Sequence, residues 1–165
     1  MIINKTFIIS NKNKNEGGVN FREIIIKKHN PKSDDGFTKL SHIFSKMPSG
    51  LIQKEETGIG ATTLELTSKR NSIIVEPTRV TASSKALKHD ILYLGGKTNN
   101  HEATTNEKII HHLENKKIKY KKIVVVADSL YRLKDVINNA LTKKGKKDKY
   151  FFMIDEIDSF QLDSS

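Results

Sequence analysis

The sequence predicts an α/β domain of three layers with a mainly parallel sheet, and three observations carry that expectation. From Gly50 onward, short apolar runs rich in β-branched residues alternate with segments of helical period, the pattern of successive β-α-β units. The run Ile123–Val126 is apolar at every position, as a central strand covered by helices on both faces requires. The chain has 165 residues, 36% of them hydrophobic, with 9 Gly and no Cys, which suffices for one core and excludes collagen-like chains, disulfide-stapled mini-proteins and thiolate zinc sites.

In chain order, residues 1–49 form an N-terminal extension of unclear role. It holds a strand candidate at Thr6–Ser10, a polar stretch at Asn11–Asn20, an apolar run at Ile24–Ile26 and a turn-rich loop at Asn30–Gly36. Residues 50–165 form the regular domain. Strands are expected at Leu51–Lys54, Ser72–Glu76, Ile91–Leu94, Lys122–Val126 and Tyr150–Ile154. Helices are expected at Val80–Leu87, at Thr104–Lys116 through Ile109, Ile110 and Leu113, and at Asp128–Leu141. The last has the clearest stripe, Leu130, Leu133, Val136, Ile137, Ala140 and Leu141, with Asp128 as N-cap. Lys143–Lys149 carries five Lys and one Gly and reads as a solvated loop or a basic patch.

The charge balance, 29 Lys plus Arg against 19 Asp plus Glu for a formal +10, favours a polyanionic partner, nucleic acid above all. No apolar run has the length of a membrane span, and the N-terminus lacks the apolar stretch and cleavage site of a signal peptide. The expectation is an intracellular protein, cytoplasmic or nucleoid-associated, with no membrane partner.

Two segments carry chemistry. Glu55-Glu56-Thr57-Gly58-Ile59-Gly60-Ala61-Thr62-Thr63 follows an expected strand and opens an expected helix. In a phosphate-binding loop, small residues let successive backbone N–H groups turn toward phosphate, and a Ser or Thr at the end holds magnesium. Gly58, Gly60 and Thr62 fit those roles; taken alone, the segment also reads as a tight turn between strand and helix. The second segment, Tyr150 to Asp158, is an apolar run that delivers Asp155 and Glu156 to the C-terminal end of a strand, where an α/β sheet collects ligands. In nucleotide hydrolases the first such acid serves magnesium and the second polarises the attacking water.

Together, Thr57–Thr62, Ile73–Arg79, Val124–Leu130 and Phe151–Asp158 resemble the first half of a superfamily 2 helicase. Asp155-Glu156-Ile157-Asp158 matches the D-E-x-D form of that family's second motif, and Pro77-Thr78-Arg79 resembles its P-T-R element. Gly95-Gly96 and Asp128-Ser129-Leu130 resemble two further contact elements. Within the superfamily the likeness is nearest to origin-binding and mobile-element helicases. The resemblance covers about residues 50–165 and implies a P-loop NTPase fold of RecA-like type, with ATP and Mg2+ as cofactors. It implies that Thr57, Gly58, Ile59, Gly60, Ala61 and Thr62 cradle the nucleotide, that Thr62 and Asp155 serve the metal, and that Glu156 is catalytic. It also implies that Thr78, Arg79, Gly95, Gly96 and Ser129 contact nucleic acid, single-stranded DNA ahead of RNA.

The chain departs from the family pattern at two points. Ala61 stands where family members carry the Lys that neutralises the β- and γ-phosphates, so hydrolysis by this chain alone is in doubt. Lys54, Lys69 and Arg70 are cations that could replace it, and nothing in the sequence selects among them. The chain also ends soon after the D-E-x-D motif, whereas the family's motor needs a second RecA-like lobe, so the expectation is a fragment whose helicase-type ATPase requires that lobe from a parent chain. The rival expectation is a non-catalytic module that keeps the fold and binds nucleic acid or a protein. His111–His112 lie at successive helix positions that face apart, which argues against joint metal ligation. Tyr93, Tyr120 and Tyr131 read as core or rim residues.

Overall fold

A computed structural model describes residues 4–12, 19–27, 39–53, 58–134 and 149–156. The chain divides into two compact units, Met1–Ser68 and Lys69–Ser165.

In the first unit, β1 (Asn4–Lys12) and β2 (Val19–Lys27) pair antiparallel over their whole length, Asn4 opposite Lys27 and Lys12 opposite Val19. The strand candidate at Thr6–Ser10 therefore lies inside β1, and the Ile24–Ile26 run inside β2. The turn-rich loop expected at Asn30–Gly36 falls outside the described residues. Strand β3 (Leu51–Gln53) pairs antiparallel with β1, giving the order β2-β1-β3. This corrects the expectation that the strand before the glycine loop belongs to the parallel sheet. A three-residue run has the same local pattern in either sheet, and its partner is chosen by contacts distant in sequence.

After β3 comes helix α1 (Ala61–Thr67), which buries Ala61, Leu64 and Leu66 beside buried Leu40, Met47 and Ile59. A 3-10 turn at Leu40–His42 is fastened to the loop before α1, where Leu40 N–H donates to the Ile59 carbonyl at 2.8 Å. Glu65 is fully buried in this core, and its two oxygens accept from Met47 N–H at 3.3 Å and from Ser68 Oγ at 3.0 Å. Such pairing offsets the cost of placing a carboxylate away from water.

The second unit is an α/β domain on a four-stranded, all-parallel sheet. Its strands are β4 (Ser72–Glu76), β5 (Leu92–Leu94), β6 (Lys122–Val126) and β7 (Phe151–Ile154), in the order β5-β6-β4-β7. Helix α2 (Arg79–His89) joins β4 to β5 and packs on β4, β5 and β6, and α3 (Asn106–Glu114) lies between β5 and β6 in sequence and packs on β5. All five expected strands are present, four of them in this parallel sheet and the fifth, β3, in the antiparallel one. Both described helices, expected over Val80–Leu87 and Thr104–Lys116, hold within a few residues at each end.

The central strands β4 and β6 are buried at every position, which explains why their sequences are apolar without alternation. Ile73, Val75, Ile123 and Val125 form one cluster with Leu94, Ile109 of α3 and Leu133. Ile74 and Val124, one position out of phase, take the opposite face and are wholly buried, as are Ala82 and Ala86 of α2. Both helices are capped by threonine: Thr78 Oγ1 accepts from Thr81 N–H at 3.2 Å and Thr105 Oγ1 from Lys108 N–H at 3.4 Å. Residues Ala127–Ser129 form a 3-10 turn that runs into a helix described over 130–134. Asp128 lies within that turn rather than at the N-cap, and the rest of the expected Asp128–Leu141 helix falls outside the described residues, as does most of the Lys143–Lys149 run. On β7 the burial alternates, and Phe152 and Ile154 are exposed while the Arg70 guanidinium lies 3.5 Å from the centre of the Phe151 ring.

This packing sets one expectation for stability. Ile123→Ala, at a fully buried position, lowers the unfolding free energy by about 2–5 kcal/mol, whereas Val80→Ala, at a side chain 71% exposed, changes it by about 0.5 kcal/mol or less. Urea unfolding of the two variants followed by far-UV circular dichroism checks the contrast.

Candidate functional site

Because the four strands of the second unit are parallel, their C-terminal ends lie along one edge of the sheet. β4 ends at Glu76 and is followed by Pro77, Thr78 and Arg79. β5 is followed by Gly95 and Gly96, β6 by the turn that holds Ser129, and β7 by Asp155 and Glu156. Thr78, Arg79, Gly95, Gly96, Ser129, Asp155 and Glu156 therefore all sit on the same edge.

At the acidic end of that edge, Asp155 is 5% exposed and is anchored by its backbone, whose N–H donates to the Val75 carbonyl at 3.0 Å. Glu156 is exposed and holds a left-handed backbone with φ 51°, a conformation that costs a non-glycine residue roughly 1–2 kcal/mol. The chain thus turns sharply after the strand, leaving Asp155 inward and Glu156 outward.

Two residues that the sequence reading missed complete this end. Lys85, from the middle of α2, donates from Nζ to Glu76 Oε2 at 2.7 Å and to Asp155 Oδ2 at 3.0 Å. Glu76 is wholly buried, and its Oε1 has no hydrogen-bond partner among the described residues. Burial raises the Glu76 pKa above its ordinary value; the Lys85 hydrogen bond and charge pull it back, and the negative charges of Asp155 and Glu156 push it further up. For Lys85, burial would lower the pKa, but its hydrogen bond to Glu76 and the charges of Glu76 and Asp155 outweigh that and hold the ammonium protonated. One ammonium is therefore shared by two carboxylates. A signal for Glu76 was present in the sequence, since an apolar strand ending in an acid is the same pattern that marked Asp155. Lys85 carried none, being one of 29 basic residues.

Further along the edge, Arg79 and the Gly95–Gly96 turn come together. A side-chain carbon added at Gly96 would lie 3.4 Å from the Arg79 guanidinium carbon. At Gly95 it would lie 2.5 Å from Cζ of Tyr93, whose hydroxyl folds back and donates to the Gly96 carbonyl at 3.0 Å. The loop beyond is tied down by Thr104 Oγ1, which donates to the Tyr93 carbonyl at 2.5 Å, and by Arg132 Nη2, which donates to the Thr104 carbonyl at 2.6 Å. The Thr78 hydroxyl caps α2, and Ser129 is only 9% exposed. Of the residues assigned to nucleic acid, Arg79 and the N–H of Gly96 are therefore the groups not consumed by a described cap, by the Tyr93 hydroxyl or by burial.

The glycine loop belongs to the first unit. Thr57 falls outside the described residues. Gly58 and Gly60 hold left-handed backbones with φ 72° and 79°, and Gly60 is the N-cap of α1, a conformation that favours glycine. Ala61 and Ile59 are buried, and Thr62 is 8% exposed. Among the described residues, Lys39 meets this loop, its Nζ donating to the Gly58 carbonyl at 3.2 Å. Neither Lys69 nor Arg70 belongs to this unit, and Lys54 falls outside the described residues.

The chain was compared with family models, with curated proteins and with solved structures. None matches. Among the described residues, no three His, Cys, Asp or Glu gather as a metal cage, and no helix is long and apolar enough to cross a membrane.

Two measurements follow from this geometry. Gly95→Ala forces the Tyr93 ring out of its place and lowers thermal stability, while Tyr93→Leu with Gly95→Ala recovers part of the loss; differential scanning fluorimetry reads both. The raised Glu76 pKa means that the folded state holds this proton more tightly than the unfolded chain. Stability is therefore lost as pH rises above 4.5, the ordinary value, through the folded pKa. Relative to wild type, Glu76→Gln accordingly gains stability as pH rises through that window, measured by urea unfolding at a series of pH values.

Proposed function

We propose that the chain is the ATP- and nucleic-acid-binding first lobe of a superfamily 2 helicase-like protein, with a P-loop NTPase domain of RecA-like type. The observation that carries this reading is the common edge. Arg79, Gly95, Gly96 and Ser129 on one stretch, and Asp155 with Glu156 on the next, all follow the C-terminal ends of adjacent parallel strands. That is the arrangement in which an α/β sheet gathers a ligand from several loops at once.

In this reading Asp155 serves magnesium and Glu156, exposed beside it, orients the attacking water. The unpartnered Oε1 of buried Glu76 fits a cation at this end, because it is an acceptor left without a donor next to the acid. Magnesium supplies charge neutralisation at the phosphates. By the resemblance, Thr57, Gly58, Ile59, Gly60, Ala61 and Thr62 of the first unit are the loop that cradles phosphate, with Thr62 as its metal-serving hydroxyl. Arg79 over the Gly96 backbone offers a phosphate of the nucleic-acid strand one cation and one N–H group, which reads backbone rather than sequence. Single-stranded DNA is the favoured strand, and a second helicase lobe completes the ATPase.

Ala61 favours a second reading, a non-catalytic module that binds nucleic acid or a protein through the same fold. Calorimetric titration of the chain with ATP and Mg2+ separates the two. The first reading gives weak, magnesium-dependent binding with little turnover, and Ala61→Lys tightens it by roughly tenfold or more, since a hydrogen bond to a charged group contributes about 1.5–3 kcal/mol. Absence of any heat in wild type and in Ala61→Lys supports the non-catalytic module.

The nucleic-acid half has its own measurement. Binding of single-stranded DNA weakens with salt, and each neutralised phosphate contributes about −0.7 to the slope of log affinity against log salt. Arg79→Ala removes roughly one such contribution for every sequence tested, read by fluorescence anisotropy. Loss of all binding on neutralising the Lys143–Lys149 run, with none on Arg79→Ala, would instead assign binding to diffuse attraction by that run.

A further inference from the structure

The shared ammonium has a consequence that the family resemblance does not contain. Lys85 reaches Asp155 from a different element, α2, and its Nζ lies 3.0 Å from Oδ2 and 2.7 Å from Glu76 Oε2. Its side chain is 30% exposed, whereas those of Glu76 and Asp155 are 0% and 6% exposed. The two acids thus form the buried side of the cluster, and Lys85 is its partly exposed member. Glu156 carries a further negative charge close enough to influence Glu76. An ammonium at hydrogen-bond distance from a carboxylate oxygen occupies the place that a metal ion takes on the same oxygen, and like charges at such separations repel strongly in a partly buried site.

From this geometry we infer that Lys85 is the positioning residue of Asp155: it holds the carboxylate through Oδ2, and a divalent cation must compete with its ammonium for that acid. The inference rests on the reading of Asp155 as the metal-serving acid. It adds that the cation site is closed by the protein's own counter-ion, with Glu76 as the buried anchor that keeps Lys85 in place. A cation arriving on Asp155 displaces the ammonium from Oδ2.

The test uses Mn2+ alone, without nucleotide, titrated into the full chain and followed by its electron paramagnetic resonance signal. Removing the ammonium in Lys85→Met tightens Mn2+ binding by at least roughly tenfold. Lys85→Arg restores a cation at the carboxylate and returns the affinity toward that of wild type. The gain disappears in Lys85→Met with Asp155→Asn, which assigns it to that carboxylate. If wild type and Lys85→Met bind Mn2+ equally, and Asp155→Asn abolishes binding in both, the role of Lys85 is overturned while the reading of Asp155 stands. If no variant binds Mn2+ in an Asp155-dependent way, with or without ATP, both fall. Should Lys85→Met fail to fold because Glu76 is left buried without a counter-charge, Lys85→Met with Glu76→Gln removes both charges. That double variant must then bind Mn2+ more tightly than Glu76→Gln alone, and equal affinity overturns the inference.

Discussion

Strand β4 is hydrogen-bonded on both sides, to β6 along its whole length and to β7 from Ser72 to Val75, and the candidate site depends on that double pairing. The register sets Glu76 beside Val126 and brings Asp155, one residue past β7, to the end of the same ladder, where its N–H continues the pairing to Val75. Parallel strands leave no choice about which ends coincide. Once Ser72 is aligned with Lys122 on one side and Phe151 on the other, the loops that follow all three strands emerge together. Their chemistry is thereby gathered without any one loop having to be long.

Charge is arranged on this edge by burial rather than by number. The chain carries a surplus of ten positive charges, yet the acidic end of the sheet has one described ammonium between Glu76 and Asp155. A buried ion pair repays its desolvation only when its geometry is good and its remaining groups are satisfied. Here one carboxylate oxygen, Glu76 Oε1, is left over.

The glycine pair shows how a functional and a structural reading of the same residues combine. Gly95 is demanded by Tyr93, whose ring fills the space a side chain would take, and Tyr93 in turn fastens the Gly96 carbonyl. Arg79 then lies against Gly96 rather than against a side chain. Packing on the core side and access on the outer side are both served by the absence of a β-carbon, so the dipeptide is informative in sequence without revealing which requirement acts at which position.

Local pattern determined most of the second unit. Unbroken apolar runs with β-branched residues mark β4 and β6, and Thr78 and Thr105 mark where α2 and α3 begin, because these signals depend on solvent exposure and capping within a few residues. The acids at the end of β7 were legible for the same reason. Pairing between distant segments was decided only by the tertiary structure. Leu51–Gln53 joined the antiparallel sheet of β1, and the units divide after Ser68 rather than at the change of pattern near Gly50, since a strand's partner is not written in its own residues. Lys85 was invisible for a like reason. Its sequence neighbours describe a helix with a mixed surface, and only the packing of α2 across β4, 70 positions before Asp155 in the chain, gives that ammonium two carboxylates to hold.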